Sequence, residues 1–107
     1  HMSDYCVVLV TVATAEEGQT IAGALVDERL AACASIVGPV RSLFRWQGSV
    51  QDEAEHLLII KTEVAALDRL TVHVRSLHRY DLPEIIALPI VGGSQAYLNW
   101  IGAEVEA

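Results

Sequence analysis

Four side chains able to hold a metal or move a proton lie within ten residues: His78, Tyr80, Asp81 and Glu84 in "LHRYDLPEII", residues 77–86. An imidazole there can ligate a metal ion. Two carboxylates can share acid and base duties. The same residues can also do no more than satisfy backbone donors where a helix gives way to a strand. Pro83 suits that third reading, because the residue before a proline is biased toward extended backbone. His78, placed at a helix end, can bond the last carbonyls and complement the helix dipole, or it can act as a ligand. His56 and His73 have no local partner at metal-binding spacing. Asp81 and Glu84 come without a nucleophile or a paired His–carboxylate spacing, and "VGGS" (91–94) is too short to signal a phosphate loop. No enzyme is therefore expected. A small enzyme using Asp81, Glu84 or Lys61 is the rival reading.

Lys61 closes the apolar run "LLIIK". Its ammonium either snorkels to solvent or meets a carboxylate, and Glu84 is the expected partner. Such a pair near Cys33 and Tyr80 makes a pocket at a subunit boundary. The expected intersubunit cleft thus comprises Cys33, Trp46, Lys61, Tyr80, Asp81 and Glu84. Trp46 is expected to pack an interface rather than serve as a ligand platform. Arg41 and Glu55 can face each other across a hairpin if the turn register allows. Cys6 and Cys33 sit in apolar surroundings without C-x-x-C spacing. They read as reduced packing residues of a cytosolic protein.

The totals narrow the field. The 107 residues suit one domain, taken as 2–107 with His1 as a cloning remnant. A net charge of −7 with a single lysine argues against nucleic acid and against anionic membranes. The first apolar run, "CVVLVTVA", is far shorter than the roughly 18 residues of a membrane span, and it follows Asp4 rather than a basic segment. The chain is 52% hydrophobic. A domain this small has little interior in which to hide so much apolar surface, so burial against another chain is expected.

The elements follow from periodicity. Residues 5–13 form a continuous β-branched run, expected to be covered on both faces. Thr14 with Glu17 reads as a capping box opening a helix over about 15–30, with Ile21, Ala22, Leu25, Val26 and Leu30 on one face. Residues 32–62 read as two long strands around a turn at "QGS", with a bend at Gly38-Pro39 as on a sheet edge. At about 3.3 Å per residue, a dozen residues reach roughly 40 Å, beyond the roughly 26 Å span of a compact domain of this size. The hairpin should therefore project. A helix over 63–78, a strand over 84–91 and a helix over 95–104 complete the order β-α-β-β-α-β-α. This is an α+β, ferredoxin-like split β-α-β-β-α-β with an added C-terminal helix. "CVVLV", "LLII" and "IIALPIV" are apolar at both parities, so the second sheet face should be covered by sheets of other subunits.

The segments "RLAACASIVGPVRSLFRWQG" (29–48), "HLLIIKT" (56–62) and "LHRYDLPEIIALPIVGGSQAYLNW" (77–100) resemble the CutA family of divalent-cation tolerance proteins. The resemblance implies a compact homotrimer built like PII signalling proteins. It further implies a role linked to copper or another divalent ion, and no established catalytic reaction. It also implies a copper site made of a first-strand cysteine and two adjacent histidines. In this chain Val10 stands at the cysteine position and Leu77 at the first histidine position, which leaves His78. The family's "HPYE" reads "HRYD", with Arg79 and Asp81 substituted. The expected protein is a cytoplasmic, non-catalytic trimeric binding or regulatory module, with a purely structural assembly protein as a further alternative.

Overall fold

The computed structural model describes residues 4–106. Four strands and three α-helices alternate as β1 (Tyr5–Val12), α1 (Ala15–Asp27), β2 (Cys33–Trp46), β3 (Ser49–Glu63), α2 (Leu67–Leu77), β4 (Ile85–Pro89) and α3 (Gln95–Glu104), with a 3-10 turn at Val64–Ala66 before α2. The strands form one antiparallel sheet in the order β2-β3-β1-β4. This is the ferredoxin-like arrangement with an added helix.

Alternation in β1 decides how the sheet is covered. Cys6, Val8, Val10 and Val12 are buried, while Tyr5, Val7, Leu9 and Thr11 are only half-buried. The buried set meets Leu58 and Ile60 of β3, Ile21 and Leu25 of α1, and Leu70 and Val74 of α2 in the main core. The expectation that β1 is covered on both faces is therefore met on one face only within the chain. Val7 pairs with Lys61 and Leu88, and Leu9 with Ile59 and Ile86, on the face turned away from α1 and α2. Ile86 and Leu88 are each about half exposed there. At the Tyr5 end, Leu98, Ile101 and Val105 gather Ala32 and Ala66 into a second small core.

Helix α1 stops at Asp27 rather than near residue 30, because the chain turns through left-handed Arg29 (φ 57°). That turn lets the Leu30 N–H return to the Leu25 carbonyl at 2.9 Å. The second helix starts late because β3 keeps pairing with β1 as far as Glu63. Strand β4 ends at Pro89, opposite Cys6, near the start of β1.

The β2–β3 hairpin runs well past the end of β1, whose last pair is Val12 with His56. The molecule is accordingly elongated, 44 × 25 × 22 Å. Its tip is a two-residue turn in which Gln47 (φ 49°) and Gly48 (φ 85°) both take positive φ, the combination that matches strand twist in a tight hairpin. The Gly38-Pro39 bend shifts the register between Val37 and Val40 on the edge strand β2. Beyond it, Val40 opposes Glu55 and Phe44 opposes Gln51, which turns Ser42, Phe44 and Trp46 to the same side as Glu55.

Candidate functional site

The connection from α2 to β4, residues 78–84, crosses the end of β1 and faces the projecting arm. One buried carboxylate anchors it. Glu17, 6% exposed, accepts from the Ala13 N–H at 3.1 Å and from the Arg79 N–H at 2.9 Å. Thr14 accepts the Glu17 N–H at 3.1 Å, which is the expected half of the capping box. The other half is redirected: the Glu17 side chain ties the helix start to the 78–84 connection.

His78 is held beside it. Its side chain is fully buried, with Nδ1 3.7 Å from Glu17 Oε2. Nδ1 accepts the Tyr80 N–H at 3.0 Å, which leaves Nε2–H to donate to the Thr11 carbonyl at 2.7 Å. Its own N–H caps α2 by bonding the Val74 carbonyl. The ring thus bonds a strand carbonyl rather than the last carbonyls of its helix. Both nitrogens are engaged, and ligation would require one of these bonds to break.

Tyr80 links the connection to the arm. Its ring lies 4.8 Å from that of His78, and its hydroxyl donates to Glu55 Oε2 at 2.8 Å. Burial, then the bond to the Glu55 carboxylate, push the phenol up to about 12. Glu55 is only 5% exposed. Between arm and connection lie two adjoining hollows of about 600 and 640 Å³, sharing Phe44, Trp46, Tyr80 and Leu82. Glu55 and Glu84 line the first, and Asp81 and Arg79 the second.

The residues predicted for one cleft fall into two groups. Trp46, Tyr80, Asp81 and Glu84 surround the hollows. Cys33 and Lys61 oppose each other as a cross-strand pair six positions farther along β3. Cys33 Sγ lies 3.6 Å from the Tyr97 hydroxyl, a contact that raises the Tyr97 phenol. Among the described residues no ion pair joins Lys61 to Glu84, because the two stand at opposite ends of the sheet face. Arg41 does not meet Glu55 either. The register sets it diagonally from Asp52, and its Nε donates to Oδ1 at 2.9 Å. Cys6 is buried and Cys33 half-buried, both as free thiols, and burial pushes the Cys6 thiol up.

A bound divalent cation needs several convergent donors. Among the described residues no three His, Cys, Asp or Glu side chains converge as such a set. Val10 is fully buried in the core, and the His78 nitrogens are committed. The donor set of the described residues does not fit a copper or zinc ion. Sequence reasoning missed the roles of Glu17 and Glu55, since their partners lie 62 and 25 residues away.

Residues 6–104 match the family described as CutA1 divalent ion tolerance protein. The chain is 50% identical over 95 residues to the divalent-cation tolerance protein CutA of Thermus thermophilus, covering 89% of this chain and 92% of that one. It is 53% identical over 95 residues to the chloroplastic protein CutA 1 of Oryza sativa, covering 89% of this chain and 54% of the relative, so it spans about half of that plant protein. The solved structure of divalent cation tolerance protein Cut A1 from T. thermophilus superposes with a TM-score of 0.94 at 47% identity, over 95% of this chain and 99% of that one. A periplasmic divalent cation tolerance protein CutA from Archaeoglobus fulgidus superposes at 0.92 with 33% identity, over 95% and 99% of the two chains.

Proposed function

The chain belongs to the CutA1 divalent ion tolerance protein family, and from that premise we propose that it serves divalent-ion tolerance as a non-catalytic, PII-like homotrimeric binding or regulatory module. One observation carries this reading. A preformed groove between arm and connection is braced by the Tyr80–Glu55 bond, yet among the described residues no set of metal donors converges. Ligands therefore enter the cleft at the subunit boundary, and copper has no resident site within one subunit. The half-covered sheet face supports the homotrimer, because Val7, Leu9, Ile86 and Leu88 need an apolar cover that this chain does not provide. Residues 2–107 act as one domain. Free Cys6 and Cys33 support a reducing compartment, the cytoplasm, although relatives are named for the chloroplast and the periplasm. A small enzyme is the weaker reading, since Asp81 and Glu84 line the hollows without an accompanying nucleophile.

Calorimetric titration with Cu²⁺ and Zn²⁺ tests the absence of a copper site. The chain should begin at Met2, because a terminal amine beside His1 chelates copper by itself. The expected result is weak binding, unchanged in His78→Ala. Tight binding near one ion per subunit, lost in a His78→Ala variant that keeps its circular dichroism spectrum, would overturn the reading.

A further inference from the structure

Lys61 differs from the arginines of the molecule. All six arginines are exposed, whereas Lys61 is half-buried on the uncovered sheet face. Its cross-strand neighbours are Val7 and Cys33, neither of them a carboxylate. Among the described residues it makes no ion pair. An ammonium on an apolar face without a counter-charge is costly once that face is covered.

The same face carries the complementary charge at its other end. Glu55, Leu57, Ile59 and Lys61 alternate along one side of β3, about 20 Å from first to last at strand spacing. Glu55 is nearly buried, and Tyr80 occupies one of its oxygens. The other oxygen takes no hydrogen bond among the described residues, and it is not among the buried unpartnered atoms, so it opens into the groove. Glu84 adds a second carboxylate at the rim. Arg41, the basic residue lining that hollow, is already bound to Asp52. Phe44, Trp46 and Tyr80 supply aromatic walls suited to an alkylammonium.

We propose that the Glu55–Glu84 end of this groove is the seat for the Lys61 ammonium of a second copy of the chain. This rests on the homotrimeric part of the reading above. The contact joins one end of a subunit's face to the opposite end of its neighbour's. Within the proposed homotrimer the contact is heterologous, and the ring closes with each subunit giving one ammonium and receiving one. The charge pair sets the register of the sliding apolar faces. It also completes the floor of the cleft and leaves the Trp46–Asp81 hollow for a ligand.

Cross-linking tests this directly. In a Cys33→Ser background, chains bearing Lys61→Cys are mixed with chains bearing Glu84→Cys, refolded together and oxidised. The expected result is a disulfide-linked pair of unlike chains on a denaturing gel, absent when either cysteine is omitted. In parallel, Lys61→Met and Glu55→Gln should each raise the concentration at half-dissociation by about tenfold or more, and the double variant no further, as for a coupled pair. Lys61→Arg should restore assembly. An intact trimer without the cross-link and with unchanged dissociation overturns the inference alone. A trimer whose groove instead binds free choline in a Glu55-dependent manner also overturns it. A monomeric wild-type chain overturns the homotrimer as well.

Discussion

At the scale of single residues, the 78–84 connection owes its shape to two buried side chains, Glu17 and His78. Glu17 gathers two N–H groups, and His78 joins the Thr11 carbonyl to the Tyr80 N–H. The sequence identified these residues but not their use. Thr14 and Glu17 advertise a helix start, and that much was legible. The return of Glu17 to Arg79 depends on packing across the sheet, for which local spacing carries no signal. Tyr80 gives a pH prediction. Its phenol is held above its ordinary value of 10.0, at about 12. Over that interval the unfolded chain ionises first and the folded chain holds the proton. Stability is therefore fully present below pH 10 and falls as pH rises toward 12. Thermal midpoints recorded from pH 8 upward should drop less steeply over that window in Tyr80→Phe than in the wild type. Parallel curves would contradict the assignment.

At the scale of elements, the projecting hairpin is the part the sequence described best. The strand-like run over 32–62, the "QGS" turn and the Gly38-Pro39 interruption together require a long, bent edge arm, and the arm is present. Its register is not legible in the sequence, which leaves Arg41 facing Glu55 conditional on the turn, and the observed register past the bulge delivers Arg41 to Asp52. That bulge depends on Gly38. A β-carbon there would stand 2.3 Å from His56 Cδ2 and 2.7 Å from Cγ. Gly38→Ala must push the His56 ring away or shift the bend, at a cost of about 1–3 kcal/mol. Equilibrium unfolding should register the loss, with partial recovery in Gly38→Ala/His56→Ala because the smaller side chain removes the clash. An unchanged midpoint would mean that the arm tolerates a different bend. Boundaries at α1 and α2 moved by a few residues for a related reason. The left-handed turn at Arg29 and the persistence of β3 to Glu63 are settled by pairing with distant segments, not by local propensity.

At the scale of the whole molecule, composition and sheet geometry bear on the same question. A chain of 107 residues that is 52% hydrophobic leaves apolar side chains without an internal partner. They collect on one sheet face, in Val7, Leu9, Ile59, Ile86 and Leu88, and on the arm in Phe44 and Trp46. The excess was visible in the sequence, since three strands are apolar at both parities. The spatial split of the expected cleft was not: Lys61 and Cys33 lie at one end of the face and Glu84 at the other, because strand length separates what the sequence order suggested would meet. A neighbouring copy can reunite them, provided that it is present in solution. Sedimentation equilibrium at low micromolar concentration measures this most directly. A homotrimer gives a single species of three times the 11.6 kDa chain mass. A single-chain mass under the same conditions would contradict it.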